Sequence, residues 1–276
     1  MLFQPLPSQD LIMITSLSSR NQCPQVVAQL DQRILTLSLN RPERKNALTL
    51  AMYSALAELI ASANSDADVR VIVLTGSAEF FTAGNDLMDF MSEPEIHPNH
   101  PVVRFIDALR HSAKPVVAVV RGHAVGIGTT MLLHCDLVYA AEDARLQMPF
   151  VNLGLCPEYA SSYLVPRLIG QQKAAEIFLL GEPFSGAQAE AMGIVTKAVP
   201  QGELTEYAQA KIARLAQQPP AAVRRSKALL RAGTLAAVDA SLKAEYAGFA
   251  EGLASDECKE SVTAFFEKRA PDFSRF

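Results

Sequence analysis

The apolar positions of this chain change period several times, and each change marks an element. Between Val26 and Leu39 the run QRILTLSLN, rich in leucine and β-branched residues, predicts a strand entering the core. Asn40-Arg41-Pro42 breaks it. Leu48, Met52, Leu56, Leu59 and Ile60 then recur at helical spacing. Residues 69–76, VRVIVLTG, form a continuous apolar run ending at Gly76, the pattern of a strand covered on both faces. The same alternation returns as a helical stretch over 101–110 and a strand in KPVVAVVRG, residues 114–122. A third apolar strand, CDLVYAA, covers 135–141.

Strands and helices at this rhythm predict an α/β fold with layered, largely parallel strands. Beyond about Glu203 the strands stop, and helices are predicted over 204–216, 220–231, 235–250 and 256–268. The expected organisation is a leader over 1–25, a core over 26–202 and a helical region over 203–276. Helices without strands to cover must pack on the core, on each other or on another subunit. Leu235, Val238, Leu242, Tyr246, Phe249 and Leu253 give one of them an apolar stripe for that purpose.

Composition narrows the function classes. Of 276 residues 49% are hydrophobic and 20% charged, which excludes global disorder. The net charge of −4 argues against a nucleic-acid partner. No apolar run reaches the roughly 20 residues of a membrane helix. The first residues lack the basic start and cleavage site of a secretory signal, and FSRF at the end is no peroxisomal address. Cys23, Cys135, Cys156 and Cys258 form no C-x-x-C pair and read as isolated thiols of a cytoplasmic protein. His97, His100 and His111 lie in or near the loop HPNHP and read as solvated, so no metal site is expected.

Three segments could carry chemistry. Two are glycine turns after buried strands: residues 80–87, FFTAGNDL, and residues 121–128, RGHAVGIG, which leads into a helix over 129–134. Glycine lets peptide N–H groups face outward, and a helix start presents unpaired donors. Two such donors converging would form an oxyanion hole, though tight-loop geometry explains either turn alone. The glycine spacing G-x-x-x-G-x-G is no dinucleotide fingerprint, and no G-x-S-x-G elbow is present. The third segment, MPFVNLGLCPE over 148–158, runs into a helix near Tyr159–Leu164. Glu158 is there either a first-turn carboxylate favoured by the helix dipole or a general base whose pKa an apolar pocket raises.

At these segments the sequence resembles the enoyl-CoA hydratase/isomerase (crotonase) superfamily, over residues 26–268. The matching pieces are LNRPERKNAL (39–48), FTAGNDL (81–87), GHAVGIG (122–128), CDLVYAAEDARLQMPFVNLGLCPE (135–158) and FSGAQAEAMGIVTKAVP (184–200), all in order. The resemblance implies a spiral of ββα units with a helical C-terminal trimerisation region, in homotrimers or hexamers built as dimers of trimers. It implies an acyl-CoA thioester as partner, with coenzyme A part of the substrate and no separate cofactor. By motif, the oxyanion donors would be the N–H groups of Asn85 and Ile127. Arg44, Lys45, Ala47 and Leu48 would lie near the adenosine and phosphate end, with Lys268 as a further cation. Ala83, Gly84, Asp86, Leu87, Val125, Gly126 and Pro157 would flank the bound substrate. Phe81, Leu87, Phe150 and Tyr159 are candidates for the acyl pocket, with core packing as the alternative for each.

Departures from the pattern bear on the reaction. Hydratases of the family use two glutamates, and here those positions read Thr130 and Phe150. The remaining carboxylate, Glu158 in LCPEYASSY, resembles the catalytic glutamate of the peroxisomal-type Δ3,Δ2-enoyl-CoA isomerase branch. The implied activity is a double-bond shift in fatty-acid β-oxidation, with Glu158 as proton shuttle. Other CoA-thioester chemistry of the superfamily (hydratase, dehalogenase or hydrolase type) and a non-catalytic acyl-CoA-binding paralogue stay as alternatives.

Overall fold

The computed structural model describes residues 23–90 and 97–276. Most of the expected leader lies outside them; of its last residues, Cys23 is buried against the core. In chain order the strands are β1 (Val26–Asp31), β2 (Ile34–Leu39), β3 (Val71–Thr75), β4 (Phe80–Thr82), β5 (Val116–Val120), β6 (His123–Val125), β7 (Leu137–Ala141), β8 (Arg145–Gln147), β9 (Phe184–Ser185) and β10 (Lys197–Val199). The helices are α1 (Leu50–Ser65), α2 (Leu87–Phe90), α3 (Pro101–Arg110), α4 (Ile127–Thr130), α5 (Ser161–Ile169), α6 (Gln171–Leu180), α7 (Gly186–Ala191), α8 (Leu204–Ala216), α9 (Pro220–Ala232), α10 (Leu235–Ala254) and α11 (Asp256–Glu267).

Each turn of the chain adds one strand to each of two sheets. The larger has the order β1-β2-β3-β5-β7-β10, the smaller β4-β6-β8-β9. Pairing from β2 to β10 is parallel, as the unbroken apolar runs require: all five residues of β5 are buried. The layered reading was therefore incomplete. The strands of the smaller sheet are two or three residues long, too short to show a period in sequence.

The expected single strand over Val26–Leu39 is instead a hairpin. Val26 pairs with Leu39 and Asp31 with Ile34, and the chain reverses at Gln32 and Arg33, with φ of 46° and 67°. Left-handed residues at both turn positions suit a two-residue hairpin, but neither is the usual Gly or Asn. The turn was invisible for that reason.

The helical region is not detached from the core. Leu204, Ala208, Ile212 and Ala216 of α8 are buried, and the helix lies on β2, β3, β5 and β7. On α10 the centre of the expected stripe, Val238, Leu242 and Phe249, is buried within the same chain, while Leu235 stays exposed. α9 is amphipathic in an unusual sense. Its buried residue is Lys227, whereas Leu229 and Leu230 face outward. No helix among the described residues is long and apolar enough to cross a membrane.

Candidate active site

The two glycine turns meet because the short strands before them pair. β4 and β6 run parallel, with Phe80 opposite His123 and Thr82 opposite Ala124, so residues 83–86 and 126–128 leave the small sheet side by side. A Cβ on Gly84 would sit 2.8 Å from the Val125 carbonyl oxygen, and one on Gly128 2.5 Å from Thr82 Cγ2. The glycines therefore permit contact between the turns. Gly84 also has a φ of 89°, a conformation that side chains resist.

Within this junction the peptide pairing leaves two donors over. Leu48 donates to Gly84 O at 2.8 Å and Asp86 donates to Leu48 O at 2.9 Å, which flank Asn85 without using its N–H. Ile127 is the first residue of α4, where no earlier helical carbonyl is available. Among the described residues neither N–H has an acceptor.

The Arg44–Leu48 segment is brought against the same turn. Ala83 donates to Lys45 O at 3.0 Å, and buried Asn46 donates through Nδ2 to Phe80 O at 2.8 Å while Thr82 Oγ1 donates to Asn46 O at 2.7 Å. Arg44 and Lys45 are exposed, with Lys45 Nζ 5.5 Å from the Phe80 ring centre. Asp86 is engaged by Arg41 Nη1 at 2.7 Å, and Arg41 also donates to Ala47 O. Burial pushes the Asp86 carboxyl up, but the Arg41 hydrogen bond and neighbouring N–H groups outweigh it, so its pKa is lowered. Leu87 opens α2 half-buried. Lys268 is exposed at the end of α11, and no hydrogen bond or ion pair joins it to these groups.

Glu158 follows half-buried Pro157 and is itself buried, 9% exposed. Thr130 Oγ1, three residues after Ile127 on α4, donates to its Oε1. Burial raises the Glu158 pKa to about 8; the Thr130 hydrogen bond pulls it down, and the charge of Glu245 pushes it up. α5 begins only at Ser161, so Glu158 precedes the helix and is not the first-turn carboxylate of the alternative reading; burial dominates its proton affinity. Tyr53 Oη, on α1, donates to Asn85 Oδ1 at 2.5 Å, and its own pKa is raised by burial and by the charge of Glu158. Asn85, Tyr53, Thr130 and Glu158 therefore form one connected site.

The two residues after Glu158 are strained. Tyr159 and Ala160 have φ of 60° and 56°, left-handed values that cost non-glycine residues about 1–3 kcal/mol each. Fixed contacts hold them there. His134 Nε2 donates to Tyr159 O at 2.7 Å and its ring stacks on Tyr159 at 4.0 Å, while Tyr159 Oη donates to Ile106 O at 3.2 Å. Burial keeps His134 neutral, with its pKa lowered to about 4. Ala160 N donates to Glu245 Oε2 at 2.5 Å. Phe81, Phe150 and Tyr159 are all buried, and for fully enclosed Phe81 and Tyr159 core packing is the reading the structure favours.

His100, expected to be solvated, is a correction. It is fully buried, and its Nδ1 accepts from Val102 N at the start of α3. His97 and His111 are exposed. Among the described residues no three His, Cys, Asp or Glu side chains gather as a metal site.

Known proteins match the chain over most of its length. The model of the enoyl-CoA hydratase/isomerase family matches residues 29–275. The chain belongs to that family. Among enoyl-CoA hydratase/isomerase relatives, 2,3-dehydroadipyl-CoA hydratase of Escherichia coli is 34% identical over 90% of this chain and 98% of its own. Enoyl-CoA delta isomerase 2 of Rattus norvegicus is 34% identical over 86% of this chain and 62% of its own. The solved structure of Pseudomonas aeruginosa OdaA superposes with a TM-score of 0.86 at 44% identity, covering 88% of this chain and 99% of that one. The crotonase fold, a ββα spiral with a helical C-terminal region, is thereby shown; the names alone divide between hydratase and isomerase.

Sequence reading missed Tyr53, His134 and Glu245. Glu245 left a signal: a carboxylate three residues after Leu242 and four before Phe249, inside the apolar stripe of α10.

Proposed function

We propose that the protein is an enoyl-CoA isomerase that moves a double bond from position 3 to position 2 of an acyl-CoA thioester. The observation that carries this reading is the isolation of Glu158. It is a buried carboxylate with one hydroxyl partner, while Thr130 and Phe150 stand where hydratases of the family carry glutamates. Adding water needs one group to orient the water and another to supply the proton. Moving a double bond needs one. Glu158 takes the C2 proton, the C–H electron pair enters a dienolate, and the same carboxyl returns the proton to C4. Negative charge on the thioester oxygen is held by the Asn85 and Ile127 N–H groups, each worth about 3–4 kcal/mol by comparison with donor removal in other enzymes. A carboxyl with a pKa near 8 is a stronger base than an ordinary one and can also return the proton near neutral pH. Arg44 and Lys45 would meet the phosphates of coenzyme A, which the substrate itself brings.

The E. coli hydratase relative favours the competing reaction. The other carboxylate that Glu158 feels is Glu245, and it is bound to backbone N–H groups and to serine hydroxyls. It is committed elsewhere.

The test follows the ultraviolet absorbance of the conjugated thioester formed from a 3-enoyl-CoA. Glu158→Gln is expected to lower turnover about 1,000-fold, within the usual range for a lost general base, at nearly unchanged CoA-ester affinity. With the ionised form required, kcat/KM rises with pH to a plateau above about 8. Undiminished turnover in the variant would falsify the assignment. Faster hydration of a 2-enoyl-CoA would replace it with the hydratase reading.

A further inference from the structure

The C-terminal helix α10 reaches the site through one face. Cβ atoms on Gly248 and Gly252 would lie 3.2 Å from Cys156 Sγ and 3.0 Å from Gly154 O, so α10 leans directly on the loop that delivers Glu158. On the same face, three residues before Gly248, buried Glu245 extends beyond the loop to the start of α5. Ala160, the residue before α5, has no capping side chain of its own. Glu245 takes its place. Oε2 accepts from Ala160 N at 2.5 Å; Oε1 accepts from Ser162 N at 2.9 Å, from Ser162 Oγ at 2.5 Å and from Ser241 Oγ at 3.4 Å.

We infer that Glu245 is a positioning residue for Glu158, holding the strained Tyr159–Ala160 pair and occupying the helix N–H groups that would otherwise draw the Glu158 carboxylate. The inference rests on the isomerase reading above. A helix start stabilises nearby negative charge and would weaken Glu158 as a base. With Glu245 already there, Glu158 turns to Thr130 and faces a second negative charge. The groups facing Glu158 are Tyr53 from α1, Thr130 from α4, Cys156 and Tyr159 from its own loop, and Glu245 and Tyr246 from α10. Of the nearby cations, Arg231 donates through Nη2 to His134 O at 2.6 Å and its charge acts on Tyr159, while the charge of Arg110 acts on Tyr246. Among these facing groups Glu245 is the carboxylate.

Glu245→Gln tests the inference. The amide keeps the shape, removes the charge and turns an NH2 toward one of the N–H donors. The expected result is a pH midpoint of kcat/KM shifted downward and a plateau kcat lowered about tenfold, with KM within threefold. A strut without influence on Glu158 would leave midpoint and kcat at wild-type values, and that outcome overturns the inference. Ser162→Ala, at an exposed position, removes one donor to Glu245. It should lower kcat about threefold at unchanged KM, and an unchanged kcat counts against the role. Glu158→Gln run in parallel separates the two claims. If it retains turnover, the isomerase reading fails; if it is inactive while Glu245→Gln behaves as wild type, the positioning role alone fails.

Discussion

Asp136 and Glu158 are two carboxylates held against neighbouring parts of the same helical region, and they are treated in opposite ways. Asp136, just before β7, accepts from Lys227 Nζ at 2.7 Å, from Arg231 Nη2 at 2.9 Å and from Val116 N at 2.8 Å. Glu158 accepts from one threonine hydroxyl and faces another carboxylate. α9 brings cations to the first; α10 brings an anion to the second. Saturating partners make Asp136 a rivet between the sheet and the tail. Sparse partners leave Glu158 with a proton it can exchange.

The comparison breaks most visibly at the rivet. Asp136→Ala leaves Lys227, 7% exposed, and Arg231 without their carboxylate. Loss of one member of a buried ion cluster costs about 3–5 kcal/mol. Denaturant unfolding should show that loss, with kcat of the folded fraction within about threefold of wild type. A comparable fall in kcat would mean that the two carboxylates are not separable.

At Glu158 the sign reverses. Its pKa is raised from 4.5 to about 8 on folding, so the native state holds its proton more tightly than the unfolded chain. That contribution is fully present below pH 4.5 and is lost as pH rises through about 8. Above that point the fold must bury a carboxylate. Glu158→Gln removes this burden and should gain stability relative to wild type as pH rises, by about 4 kcal/mol between pH 5 and pH 9.5. Urea midpoints at pH 5 and pH 9.5 measure it. Equal differences at both values would show that Glu158 is not held protonated by its surroundings.

Much of the spiral core was legible because its determinants are local. Buried strands show as continuous apolar runs, and β3, β5 and β7 fall inside the ranges expected for them. The glycine turns were visible for the same reason, since each follows such a run. The hairpin turn at Gln32-Arg33 and the short strands of the small sheet were not, because pairing partners rather than residue type define them. At the site, Glu158 stood out through its motif. Its environment did not, because Thr130, His134 and Glu245 are 28, 24 and 87 positions away in sequence, and the fold brings the first to Glu158 and the other two to the residues that follow it. Thr130 shows the difference best: in sequence it is a missing glutamate, in structure the group that holds the remaining one.

Thr130→Val sharpens that last point with the smallest effect. Valine preserves the branched shape on α4 and removes the hydroxyl. The hydrogen bond to Glu158 lowers the pKa of that carboxyl, so its loss moves the pKa upward from about 8. A hydrogen bond worth about 1 kcal/mol corresponds to about a fivefold loss of turnover at pH 7, where a smaller fraction of Glu158 is ionised. The loss should shrink as pH is raised past the new midpoint, because the base itself is intact. A deficit that persists at every pH would mean that Thr130 orients Glu158 rather than tuning its proton affinity. The pH profile of kcat/KM decides between them, since orientation lowers the plateau and proton affinity moves the midpoint.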